Sequence, residues 1–128
     1  KVIPALLRDD VVICDRYIDS SLVYQGIARG LGIDDVLKAN CFALNYMPNL
    51  TFFIDVRPEV GLKRIEGRDK IDRLDKEAFS FHQNVYNGYK KIASMYKDRI
   101  ITIDGERPSE LVVKDIIKHI DLYLNSRR

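Results

Sequence analysis

The chain has 128 residues, 46% hydrophobic and 31% charged, enough apolar material for the core of one compact domain. Its 21 Lys and Arg against 19 Asp and Glu leave a net charge of +2 and form no long basic block, which argues against a nucleic-acid partner and for a small-molecule site. No run approaches the ~20 apolar residues of a membrane span, and the opening KVIPALLRDD lacks the pattern of a signal peptide, so a soluble cytoplasmic protein with no membrane partner is expected.

The chain opens on Lys1 within what reads as a helix end, and a missing N-terminal segment is expected. Val11-Val12-Ile13-Cys14 is a short apolar run without polar alternation, the pattern of a strand buried on both faces in a parallel sheet. Directly after it comes DRYIDSSLVYQG, residues 15 to 26. Open parallel sheets bind ligands at the carboxyl ends of their strands, so Asp15 and Arg16 fall where a site belongs. An acid, a guanidinium, hydroxyls, a phenol and an amide can together serve a metal, a phosphate and a base edge. A helix start capped by Asp19 or Ser20, with Tyr17 and Tyr24 as packing, explains the same residues.

Asp34 or Asp35 can cap a helix reaching about Met47, with Leu37, Cys41 and Leu44 on one face. Thr51 to Val56 reads as a second strand, and Pro58 opens a helix carrying Val60, Leu62 and Ile65. Residues 63 to 77, KRIEGRDKIDRLDKE, mix charges around Gly67 and read either as a solvated surface with weak ion pairs or as a mobile flap whose arginines close over phosphate. From about Lys76 to Tyr96, Phe81, Val85, Tyr89, Ile92 and Tyr96 line one helical stripe.

Ile100 to Ile103 is the third strand, and Pro108 opens a last helix with Val113, Ile116, Ile117, Ile120 and Leu124 toward the core. Strands alternating with helices give an α/β fold with a mainly parallel sheet in a single domain, 1–128. Cys14 and Cys41 have neither metal-ligand spacing nor a disulfide pattern and read as reduced core residues. His82 and His119 lack ligand partners at metal spacing, the Tyr86 and Tyr89 pair reads as core, and no Ser/His/Asp or Cys/His nucleophile set can be assembled.

VVICDRYIDSSLVYQGIARGLG, with PALLRDD before it and PNLTFFIDVRPEVGLKRI and RDKIDRLDKEAFSFHQNVYNGY after it, resembles the thymidylate kinase family over nearly the whole chain. The resemblance implies a P-loop kinase-like sheet and transfer of a phosphoryl group from ATP to dTMP with Mg²⁺, in a homodimer. It implies that Asp15 lies beside the metal and phosphates and that Arg16 grips the dTMP phosphate. Ser21 and Gln25 match positions near the thymine edge, and Tyr24 matches the tyrosine packed on the deoxyribose. Residues 63 to 77 become a lid, with Arg68 and Arg73 reaching the ATP phosphates and Arg64 a weaker candidate.

No glycine-rich loop ending in Gly-Lys-Ser or Gly-Lys-Thr is present, so the donor half of the site is expected elsewhere in a longer parent enzyme. In the family's strand order the P-loop strand lies between the first two strands seen here. Without it both expose unpaired backbone groups, and the 128 residues alone are expected to fold poorly. A non-catalytic nucleotide-binding or assembly module and a deoxynucleoside kinase relative are the competing readings.

Overall fold

The computed structural model describes residues 1–66 and 76–127. Helices α1 (Val2–Leu7) and α2 (Ile18–Ser21) are short, and α2 runs on into a π-helix, Leu22–Ala28. Helix α3 (Ile33–Ala39) follows, then a 3₁₀ turn, Cys41–Tyr46. Gly32, at φ 89°, is the entry to α3, and Asp34 and Asp35 sit in its first turn without a side-chain cap bond. There they meet the positive end of the helix dipole, and Lys38 meets the negative end.

Strand β1 (Thr51–Asp55) leads to α4 (Pro58–Glu66), which Pro58 starts as expected, with Glu59 in its first turn and Lys63 and Arg64 in its last. The long α5 (Lys76–Met95), strand β2 (Ile100–Asp104) and α6 (Ser109–Ser126) complete the order. β1 and β2 pair in parallel, Thr51 opposite Ile100 and Asp55 opposite Asp104. Such a pair needs a long crossover, supplied here by the chain through α4 and α5.

Successive strand residues face opposite layers. Phe53 stacks on Tyr89 of α5 with ring centroids 5.5 Å apart, whereas Phe52 meets the ring of His119 on α6 edge-on at 6.3 Å. Helices thus flank both faces of a two-stranded parallel sheet, an α/β arrangement. The best-buried side chains, Leu22, Val23, Ile92 and Ile103, join the π-helix, α5 and β2. A Cβ on Gly88 would lie 3.0 Å from Val23 Cγ1, so the missing side chain is what lets α5 and the π-helix approach this closely.

Four expectations are corrected. Val11 to Cys14 forms no strand: neither β1 nor β2 pairs with it, and a strand without a partner has no ladder to hold it. Val11 and Ile13 are 77% and 89% exposed. Both cysteines are free but exposed, because the run and the helical face that would have buried them do not form. The helix from Asp34 stops at Ala39, where Asn40 turns its side-chain amide back to the Val36 carbonyl at 2.8 Å; Val36 and Ala43, not Cys41 and Leu44, are the buried residues. On α6, Val113, Ile117 and Leu124 are exposed, since among the described residues no element covers that part of the stripe.

Candidate functional site

The segment after Asp15 is held by side chains distant in sequence. Arg16 has φ 67°, a left-handed backbone that a non-glycine residue adopts at a cost of order 1–3 kcal/mol. Its Nε donates to Ser20 Oγ at 3.2 Å, and Ser20 Oγ shares a second hydrogen bond with the Tyr89 hydroxyl at 2.8 Å. The guanidinium carbon lies 4.6 Å from the Tyr24 ring centroid, a cation–π distance. Tyr24 is in turn 6.2 Å from Phe81 and 6.2 Å, edge-on, from Tyr89, both on α5. The terminal nitrogens of Arg16 donate to nothing among the described residues, so the exposed side chain keeps both of them open to a ligand.

Asp19, in the same segment, belongs to a largely buried ion pair. Arg99 donates from both terminal nitrogens to Asp19, at 2.7 and 2.9 Å, and from Nη1 to Thr51 Oγ1 at 3.0 Å. The two side chains are 15% and 10% exposed, and the Arg99 guanidinium also sits 5.2 Å from the Tyr96 ring centroid. Asp19 therefore does not cap α2; it ties the helix to the start of β1 and the entry of β2. The π-helix that follows carries Tyr24 and Gln25, and its wide turn shows in the Arg29 amide reaching five residues back to the Tyr24 carbonyl at 3.1 Å.

A second concave region lies at the carboxyl ends of the strands. An open groove of about 570 Å³ is lined by Ile54, Val56, Arg64, Gly105 and the first turn of α6. Arg64 Nη1 donates to the Gly105 carbonyl at 3.0 Å, and Arg57 clasps Glu106 with contacts of 2.7 to 3.1 Å between the loops after β1 and β2. That clasp holds the Glu106 carboxyl below its ordinary range and the Arg57 guanidinium above its own. On the other face, the Asp55 carboxylate, with burial, pushes the Tyr86 phenol up to about 12. Asp55 Oδ1 is buried with no hydrogen-bond partner among the described residues.

The thymidylate kinase family model matches residues 1–116. The chain belongs to the thymidylate kinase family. It is 50% identical over 124 residues to a thymidylate kinase of Bacillus cytotoxicus, an alignment covering 94% of this chain and 60% of that protein. A Clostridium novyi thymidylate kinase is 50% identical over 119 residues, covering 91% and 58%, and one from Geobacillus thermodenitrificans 48% over 120 residues, covering 91% and 53%. The chain thus spans somewhat more than half the length of these relatives.

Within the chain, the residues singled out from sequence divide in three. Arg16 and Tyr24 are brought together. Asp15 and Gln25 are exposed and Ser21 half-buried, and none of the three makes a side-chain hydrogen bond among the described residues. Arg64 belongs to the groove at the strand ends, while Arg68 and Arg73 lie outside the described residues. Sequence reasoning missed Arg99, and it placed Ser20, Phe81 and Tyr89 only as cap or core. The stripe spacing of Phe81 and Tyr89 was the available signal, but periodicity does not reveal that a half-buried phenol bonds a hydroxyl 69 residues away.

Proposed function

We propose that these residues form the acceptor half of an enzyme that transfers the γ-phosphoryl group of ATP to dTMP, within a longer polypeptide whose P-loop and central strand complete a P-loop kinase sheet. The observation that carries this reading is the Arg16 guanidinium, fixed against Tyr24 and Ser20 with its terminal nitrogens open. A planar fork held in this way suits two oxygens of a phosphate monoester. The Tyr24 ring beside it offers a flat face to a deoxyribose, where a 2′-hydroxyl would be crowded, and Ser21 and Gln25 supply polar atoms for the thymine edge.

Phosphoryl transfer asks the protein chiefly to position two phosphates and offset charge. Arg16 orients the acceptor phosphate, and Arg68 and Arg73 on a lid of about residues 63 to 77 neutralise charge on the donor. The groove at the strand ends, with apolar walls and Arg64, is the proposed seat of the donor nucleotide, supported by its place at the carboxyl ends of parallel strands. Among the described residues no cluster of three metal-ligating side chains exists. Asp15, exposed and without a side-chain partner among the described residues, still fits Mg²⁺, which often takes one or two carboxylates and leaves its other positions to phosphates and water. When bound, that ion offsets phosphate charge; Asp15 would hold it or its water.

The same reading has a single domain, 1–128, in a cytoplasmic homodimer acting on free nucleotides, with no nucleic-acid or membrane partner. Balanced charge supports the absence of a nucleic-acid partner, and no helix among the described residues is long and apolar enough to cross a membrane. The test is a coupled assay of the full-length protein with ATP and either dTMP or thymidine. Turnover with dTMP and none with thymidine is expected. Thymidine as the better acceptor would favour a deoxynucleoside kinase, and activity with neither would favour a non-catalytic module.

A further inference from the structure

The geometry points to Tyr89 as a positioning residue for the phosphate grip, acting through Ser20 on Arg16. The inference rests on reading Arg16 as the group that holds the acceptor phosphate. Arg16 is exposed and its backbone is left-handed, so neither burial nor helix geometry fixes its long side chain. What fixes it is the Nε bond to Ser20 at 3.2 Å and the Tyr24 face at 4.6 Å. A serine hydroxyl rotates freely unless a second partner holds it. The Tyr89 hydroxyl, 2.8 Å from Ser20 Oγ, is that partner.

Tyr89 is itself held on two sides, stacked 13° from parallel on Phe53 of β1 and edge-on to Tyr24. The phenol therefore stands on rigid elements and transmits the position of β1 and α5 to a guanidinium on a loop. Orienting the terminal nitrogens in advance reduces the ordering cost when a phosphate binds, and only a ligand with a phosphate benefits.

Tyr89→Phe removes the hydroxyl and keeps the ring contacts, so folding is preserved, and Ser20→Ala removes the next link. In calorimetric titrations of the full-length protein, each change is expected to weaken dTMP binding about 3- to 10-fold, the loss of one net hydrogen bond. Thymidine, without a phosphate, is expected to bind all forms equally, and the double variant to be no weaker than the single ones, since both break one chain. If Arg16→Ala weakens dTMP and Tyr89→Phe does not, the relay is wrong while the grip stands. If Arg16→Ala leaves dTMP binding unchanged, the grip itself is wrong and the relay falls with it. Equal loss of dTMP and thymidine in Tyr89→Phe overturns the relay, because Tyr89 then only supports the fold.

Discussion

Asp19 and Arg99 show how strongly one residue can depend on another far along the chain. Their side chains are 10% and 15% exposed, so removing one leaves a charge with little water to solvate it. Arg99→Leu is expected to destabilise the protein by about 3–5 kcal/mol, read from urea denaturation; a loss under about 1 kcal/mol would mean that water reaches the pair. Tyr86 supplies a pH test. Its folded-state value is raised from 10.0 to about 12 by the Asp55 carboxylate and burial, so the unfolded phenol ionises first. The stabilisation is complete below pH 10 and is lost as pH rises to about 12. Ultraviolet titration should show a phenol step near 12 that Tyr86→Phe abolishes; a step that survives Tyr86→Phe, or none near 12, would contradict it. From sequence, Arg16 and Tyr24 were legible as a candidate site by residue type and place. Their supports were not, because Ser20 with Tyr89 and Asp19 with Arg99 are separated by 69 and 80 residues, and nothing local encodes such pairs.

The helices were legible where an amphipathic stripe and end signals agreed: α4 begins at Pro58 and α5 buries Val85 and Ile92 from its stripe. Strands β1 and β2 were legible as unbroken apolar runs. Val11 to Cys14 has the same composition, yet pairing, not composition, makes a strand, and its partner is not among the described residues. Gly105 marks a contact that sequence alone does not display. A Cβ there would fall 2.5 Å from Ile54 Cγ2 and 2.6 Å from Val56 Cγ2, so the loop after β2 closes onto β1 only with glycine. Gly105→Ala is expected to cost about 1–3 kcal/mol by overpacking and to disturb the groove that Arg64 lines; unchanged thermal stability would show that the loop yields freely.

Taken whole, the molecule has a well-packed centre where the π-helix meets α5, and large apolar side chains left uncovered elsewhere. Val11, Ile13, Ile54 and Leu122 are all about half or more exposed, more than a finished sheet and core would leave. The family's strand order anticipates this at Val11 to Cys14 and β1, the two segments that would flank its P-loop strand. On the proposed reading, function would divide between an acceptor site among the described residues and a donor site that needs more. The most direct test is a crystal structure of the full-length protein with dTMP. The account predicts its phosphate bonded by the terminal nitrogens of Arg16 and its sugar against the Tyr24 ring; a phosphate seated at Arg57 or Arg64 with Arg16 untouched would contradict it.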